Sequence, residues 1–174
     1  KTLIPNKAKA AATLGDVYLD HDMIPEALAA LKEAMQLDPA NVRYKKSYAI
    51  ALERTASSSP NPQASYSEAR QIWEDLLAGA ADDKVLARDC RTHIVSLWAL
   101  NHELANRIAP LTAAFNKTPP DIESGRLLAE VQRKLHRMPD AEATLRRVIT
   151  LAPGDEESML ALEVDYRTEA ENMR

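Results

Sequence analysis

Leu14-Gly15-Asp16-Val17-Tyr18, followed nine residues after Tyr18 by Ala27-Leu28-Ala29-Ala30-Leu31-Lys32-Glu33-Ala34-Met35-Gln36-Leu37-Asp38-Pro39, is the stretch that decides the fold. Its second half returns later, where Ala141-Glu142-Ala143-Thr144-Leu145 leads to Leu151-Ala152-Pro153. In both copies an alanine is followed by leucine four residues on and by proline twelve residues on. The prolines give the period: Pro5 precedes Pro39 by 34 residues, and Pro119 precedes Pro153 by 34. The 80 residues between Pro39 and Pro119 are two such periods with twelve extra residues. About eight of these fall in Ser57–Ala64, a Ser/Pro/Asn run that avoids helix, and about four near Gly79–Lys84. A fixed period of this length is the signature of a stacked helical repeat.

Composition agrees. The 174 residues are rich in alanine and leucine, with 5% aromatic residues and four glycines. Ala and Leu lose little on entering a helix, whereas strands favour β-branched and aromatic residues. Hydrophobic residues make up 45% of the chain, enough to bury a core. No apolar run approaches the roughly 20 residues of a membrane-spanning helix. A net charge of −4 argues against nucleic acid, whose binders carry a basic face. The single cysteine, Cys90, excludes an internal disulfide and favours a reducing, cytoplasmic setting for this segment. A chain opening on Lys1 reads as an excised or processed piece of a longer protein.

The spacing of Leu14, Gly15, Tyr18, Ala27, Leu31, Ala34 and Pro39 resembles the tetratricopeptide-repeat (TPR) consensus, with Ala11 where that family usually has Trp. The resemblance implies an all-α, right-handed solenoid of antiparallel helix pairs A and B, about four repeats and a terminal helix in a single array over 1–174. Repeats are expected at 8–41, 42–87 with the insertions, 88–121 and 122–155, the terminal helix at 156–171. Segment 1–7 is expected to be the tail of a preceding helix. Repeat 2 departs from the pattern with Tyr48-Ala49 for Leu-Gly and Trp73 at the large site. Repeat 3 departs further, with Ile94, Val95 and Trp98 in the Leu-Gly-Tyr places and Arg107 where alanine is expected. Repeat 4 keeps Leu128, Ala129, Ala141, Leu145, Val148 and Pro153.

Each signature residue has a packing reason. Gly15 and Ala27 are small enough to let two helices approach, and Tyr18 and Leu31 fill the space beside that crossing. Pro39 cannot continue a helix and ends it. Pro25-Glu26 and Pro139-Asp140 suit the first turn of a helix, where proline lacks only an orphan N–H and a carboxylate meets the positive dipole end. One helix pair cannot bury its own apolar face, so neighbours must stack.

Motifs for chemistry are weak. Cys90 and His93 stand one helical turn apart, but without a further ligand nearby they read as a structural thiol and its neighbour. Asp20-His21-Asp22 and His136 fall in expected turns between helices A and B. No phosphate loop, metalloprotease motif or nucleophile elbow occurs, so neither an enzyme nor a cofactor is expected.

A binding surface is expected instead. In the family, helix A lines the concave face, which here implies Arg43, Lys46, Ile50 and Arg54 from repeat 2 and Ser96 from repeat 3. Repeat 4 adds Arg126, Glu130, Arg133 and Lys134. These make two basic stations around a small, mildly polar one, suited to a protein or peptide partner with acidic residues. The clamp for chaperone tails is not expected, because Ala12 and Asp16 stand where it needs Lys and Asn. The alternative is a structural or self-associating segment of a larger enzyme or export protein, with Leu160, Leu162 and Val164 of the last helix as the contact. No insertion of this segment into a membrane is expected.

Overall fold

The computed structural model describes residues 3–57, 59–80 and 83–172. Among them run nine α-helices: α1 Leu3–Asp20, α2 Ile24–Leu37, α3 Val42–Ser57, α4 Gln63–Gly79, α5 Lys84–Leu100, α6 Leu104–Phe115, α7 Ile122–Lys134, α8 Met138–Leu151 and α9 Glu156–Asn172. The odd-numbered helices are A and the even-numbered ones B.

Where the sequence predicts one array, the chain divides into two compact units, Lys1–Leu97 and Trp98–Arg174. The division falls inside α5, in the repeat whose signature departs furthest from the consensus. In the first unit α1 packs on α2, α2 on α3 and α3 on α4; in the second α6 packs on α7, α7 on α8 and α8 on α9.

The signature residues explain this packing. A Cβ on Gly15 would lie 2.5 Å from Leu31 Cγ, so glycine is what lets α1 reach α2. Ala27, Leu31 and Ala34 are fully buried, and Ala34 joins Ala8, Ala12 and Tyr44 in a core that ties α2 to α1 and α3. Ala12, a concave position by register, is therefore core. Repeat 2 fills the same space with Tyr48, Ala49, Ala69 and Trp73, all buried. In the second unit Phe115, Leu128 and Val148 form the equivalent core. There Gly125 admits the Phe115 ring, three of whose carbons would lie within 2.9 Å of an added Cβ.

The departure in repeat 3 is compensated locally. Arg107 stands in the alanine place, and its guanidinium lies 5.0 Å from the centre of the Trp98 ring. A cation over an indole face replaces a small residue under a tyrosine.

The turns repeat as regularly as the cores. Asp22, His102 and His136 have φ of 57°, 56° and 58°, each closing a helix A. In each, the next residue's N–H reaches back five residues (Met23 to Tyr18, Glu103 to Trp98, Arg137 to Gln132), as in a Schellman motif. His136 follows His102 by 34 residues, the repeat period. Glycine takes this left-handed conformation without the Cβ clash, so His136→Gly should raise stability by about 0.5–1 kcal/mol, read as a higher urea midpoint.

Helix A starts are capped by short polar side chains. Asp83 Oδ1 accepts from Leu86 N at 2.9 Å, and Asp121 Oδ1 accepts from Ser124 N at 3.2 Å. Asn41 caps α3 in the same way, more weakly, through Tyr44 N.

The sequence expectations need four adjustments. Leu3–Lys7 belong to α1 itself rather than to a preceding helix, because Pro5 falls in its first turn, where no backbone donor is lost. The insertion Ser57–Ala64 is partly helix: Ser57 ends α3, and Gln63 and Ala64 open α4, while Ser58 lies outside the described residues. The extra residues near Gly79–Lys84 do not simply lengthen a loop. α5 begins at Lys84, one turn before the expected Arg88, and Ala81 and Asp82 lie outside the described residues. The terminal helix extends to Asn172.

Candidate functional site: the helix A face

Helix residues spaced three or four apart share a face. On α3 that places Arg43, Lys46, Ile50, Glu53 and Arg54 along one side, and on α5 Asp89, His93 and Ser96. Side chains bridge these helices. Arg43 of α3 pairs with Asp16 of α1 at 2.5 Å. Lys46 pairs with Asp89 of α5. Arg54 Nη1 donates to the Leu19 carbonyl at 2.9 Å. Glu53 is the hub: Trp73 Nε1 donates to it at 2.6 Å, and His93 Nδ1 lies 2.9 Å from the same oxygen. The His93 ring stacks on Trp73 with centroids 4.1 Å apart and 12° between planes. Ile50 and Ser96, both half-buried, lie beside this polar belt on their own helices.

In the second unit Arg126 binds Glu123 at 3.0 Å and Asp155 at 3.0 Å. Arg133 binds the buried Asp165 at 2.8 Å. Glu130 is half-buried, and Lys134 is exposed at the end of α7.

The expected basic stations are therefore corrected. The first unit carries Arg43, Lys46, Ile50, Arg54 and Ser96; the second carries Arg126, Glu130, Arg133 and Lys134. Four of the six cations are in ion pairs and Arg54 is held by a carbonyl, which leaves Lys134 at the end of its helix. Asp16, Asp89 and Asp165 of neighbouring A helices, Asp155 just before α9 and Glu123 on α7 itself neutralise the paired ones, so Arg126 and Arg133 are structural as well as superficial. Replacing either by an acid would leave Asp155 or Asp165 beside a like charge, and would test folding before binding. The pairs join different register positions, Asp16 at the ninth of its repeat to Arg43 at the second and Lys46 at the fifth to Asp89 at the second, so the 34-residue period alone does not reveal them.

The two buried carboxyl groups at positions 155 and 165 are shifted in opposite directions. Burial alone would raise the Asp155 carboxyl, but hydrogen bonds from Arg126 and Ser158 hold it below the usual range. Asp165 is raised by burial, which Arg133 only partly offsets and Glu142 reinforces. Asp155 therefore contributes stability above about pH 3.9, lost as pH falls through its lowered folded value. Asp165 works the other way: stability falls as pH rises from about 3.9 through its raised folded value. Urea unfolding should show Asp155→Ala weaker by about 1–3 kcal/mol at pH 7, with the deficit shrinking near pH 3. Asp165→Asn should keep or gain stability at pH 7.

Cys90 is fully buried, and burial, with Asp89 beside it, pushes its thiol up to about 11. That is the reverse of an activated cysteine. Among the described residues no group of three or more His, Cys, Asp or Glu could hold a metal ion, and no helix is long and apolar enough to cross a membrane.

No protein-family model and no curated protein matches this sequence. Solved structures do. The chain is similar to the portion of MamA from Desulfovibrio magneticus RS-1 that runs from position 41 to the end, at 17% identity and a TM-score of 0.51, over 96% of this chain and 91% of that one. It is also similar to TTC0263, a TPR protein of Thermus thermophilus, at 17% identity and a TM-score of 0.50, over 93% and 82%. At such identities the likeness is one of fold, and it joins the period, the Gly15–Leu31 crossing and the repeated helix A turns in one conclusion. This chain has the tetratricopeptide-repeat fold.

Proposed function

We propose that the chain is a protein-interaction scaffold that receives a partner peptide or domain on the helix A face of its first unit. The observation that carries this reading is the cross-braced surface of α1, α3 and α5. Asp16–Arg43, Lys46–Asp89 and Glu53–His93 fix three helices side by side before any partner arrives, so little ordering is needed on binding. Ile50 and Ser96 offer an apolar and a small polar contact within a belt of balanced charge. Such a belt suits an extended or helical segment of mixed polarity that exchanges hydrogen bonds with Glu53, His93 and the paired cations. A strongly acidic partner is not part of the proposal, because Arg43 and Lys46 already have acids and Arg54 is held by the Leu19 carbonyl.

A displayed peptide library selected on the immobilised chain tests this. A control variant carries Ile50→Glu and Ser96→Arg and is first matched to the parent in thermal melting. Peptides enriched on the parent and lost on the variant support the reading. Equal enrichment on both, or none on either, contradicts it.

A further inference from the structure

One face of α1 leaves exposed the apolar positions that its counterpart helix α7 buries. Leu14 and Val17 occupy the same repeat positions as Leu128 and Val131 of α7. Leu128 and Val131 are 4% and 0% exposed, and α6 packs on α7 with Phe115 against Leu128. Leu14 and Val17 are each 46% exposed, and with Asn6, Lys9, Ala10 and Thr13 they line an open, shallow groove. The apolar residues that α7 buries under a helix are thus presented bare on α1.

Helix α9 presents Leu160 and Val164, 58% and 52% exposed and one turn apart. Its flanks are acidic, with Glu156, Glu163 and Glu171 exposed, whereas Lys7 and Lys9 give the first half of α1 a basic edge. We propose that the α1 face of one copy receives α9 of a second copy, the two helices antiparallel. With Leu14 set opposite Val164, one turn along each helix brings Val17 beside Leu160. The same register sets Lys7 opposite Glu171 and His21 beside Glu156. Apolar residues meet at the centre, with opposite charge at the Lys7 end.

The contact joins unlike faces, and every copy carries both, so it is a head-to-tail contact rather than a two-fold one. One helix on another covers less than the roughly 1,200 Å² typical of stable interfaces, so the association is weak and concentration-dependent. It uses none of the helix A contacts invoked for partner binding.

Sedimentation of the 174-residue chain tests the proposal, with Leu14→Glu and Leu160→Glu as variants. Both positions are exposed, and circular dichroism melts verify the fold. The parent should gain average mass between low and high micromolar concentration. Each variant alone should stay monomeric, since each has lost one of the two faces. An equimolar mixture should form a one-to-one dimer and stop there, because one variant keeps its α9 and the other its α1. A parent that stays monomeric throughout overturns the proposal and leaves the α1 face to a different helix. Self-association of either variant alone at the parent's level overturns it as well.

Discussion

Replacing Trp73 with alanine is expected to cost about 3–5 kcal/mol, the range for removing a large aromatic side chain from a packed interior. Trp73 has no exposed surface, and it does more than fill volume. Its indole N–H donates to Glu53 and its ring stacks on His93, so it ties α4 to both α3 and α5. Trp73→Phe separates these roles. It keeps most of the apolar bulk but removes the donor, and should cost less, about 1–3 kcal/mol. Urea unfolding followed by circular dichroism measures both. A loss below about 1 kcal/mol for the alanine variant would mean that the indole is not packed as described.

The second large effect is expected at the glycine crossings. Gly125→Val adds three carbons where the nearest Phe115 ring atoms already stand 2.7, 2.9 and 2.9 Å from the first of them. Phe115 is itself buried and the ring is rigid, so α6 and α7 must separate. Overpacking of this kind costs about 1–3 kcal/mol, and β-branching removes most of the helix-propensity gain that Gly→Ala would bring. Gly15→Val should behave alike against Leu31, though the leucine can turn aside more easily than a ring. As a control, Gly79 has no atom within 4 Å of an added Cβ, so Gly79→Ala should not lower stability through packing. Thermal melts of the three variants give the ranking directly.

The fold was legible because a repeat states its own rule several times. Gly15, Ala27 and Leu31 identify the crossing of α1 and α2, and the 34-residue spacing carries that reading to places where the signature has decayed. Trp98 and Arg107 looked like two departures and are one substitution, visible only once the rings and charges are in space. Gly125 was missed as a crossing because it meets the preceding helix B rather than its own. The helix caps Asp83 and Asp121 are legible in the sequence, since a short polar residue before a helix is a start signal.

The candidate face was legible as positions but not as electrostatics. Arg43, Lys46, Arg126 and Arg133 stand on A helices, as their register implies, but acids that the stacking brings beside them cancel their charge. Asp16 and Asp89 stand 27 and 43 residues from their partners, separations at which only the stacking of repeats creates a contact. The extent of α5 was misjudged for a related reason. Asp83 is the start signal for Lys84–Ala87, and counting the repeat from Arg88 passes over it.

The most direct measurement is photo-crosslinking. A benzophenone side chain would be placed at Thr92, exposed on α5 one turn before Ser96, and in a second protein at Gln36, exposed on α2. Both would be irradiated with the peptides selected on the parent chain. Crosslinks formed at position 92 and absent at 36 are the expected result. Crosslinks at 36 with none at 92 would contradict a binding face made by the A helices.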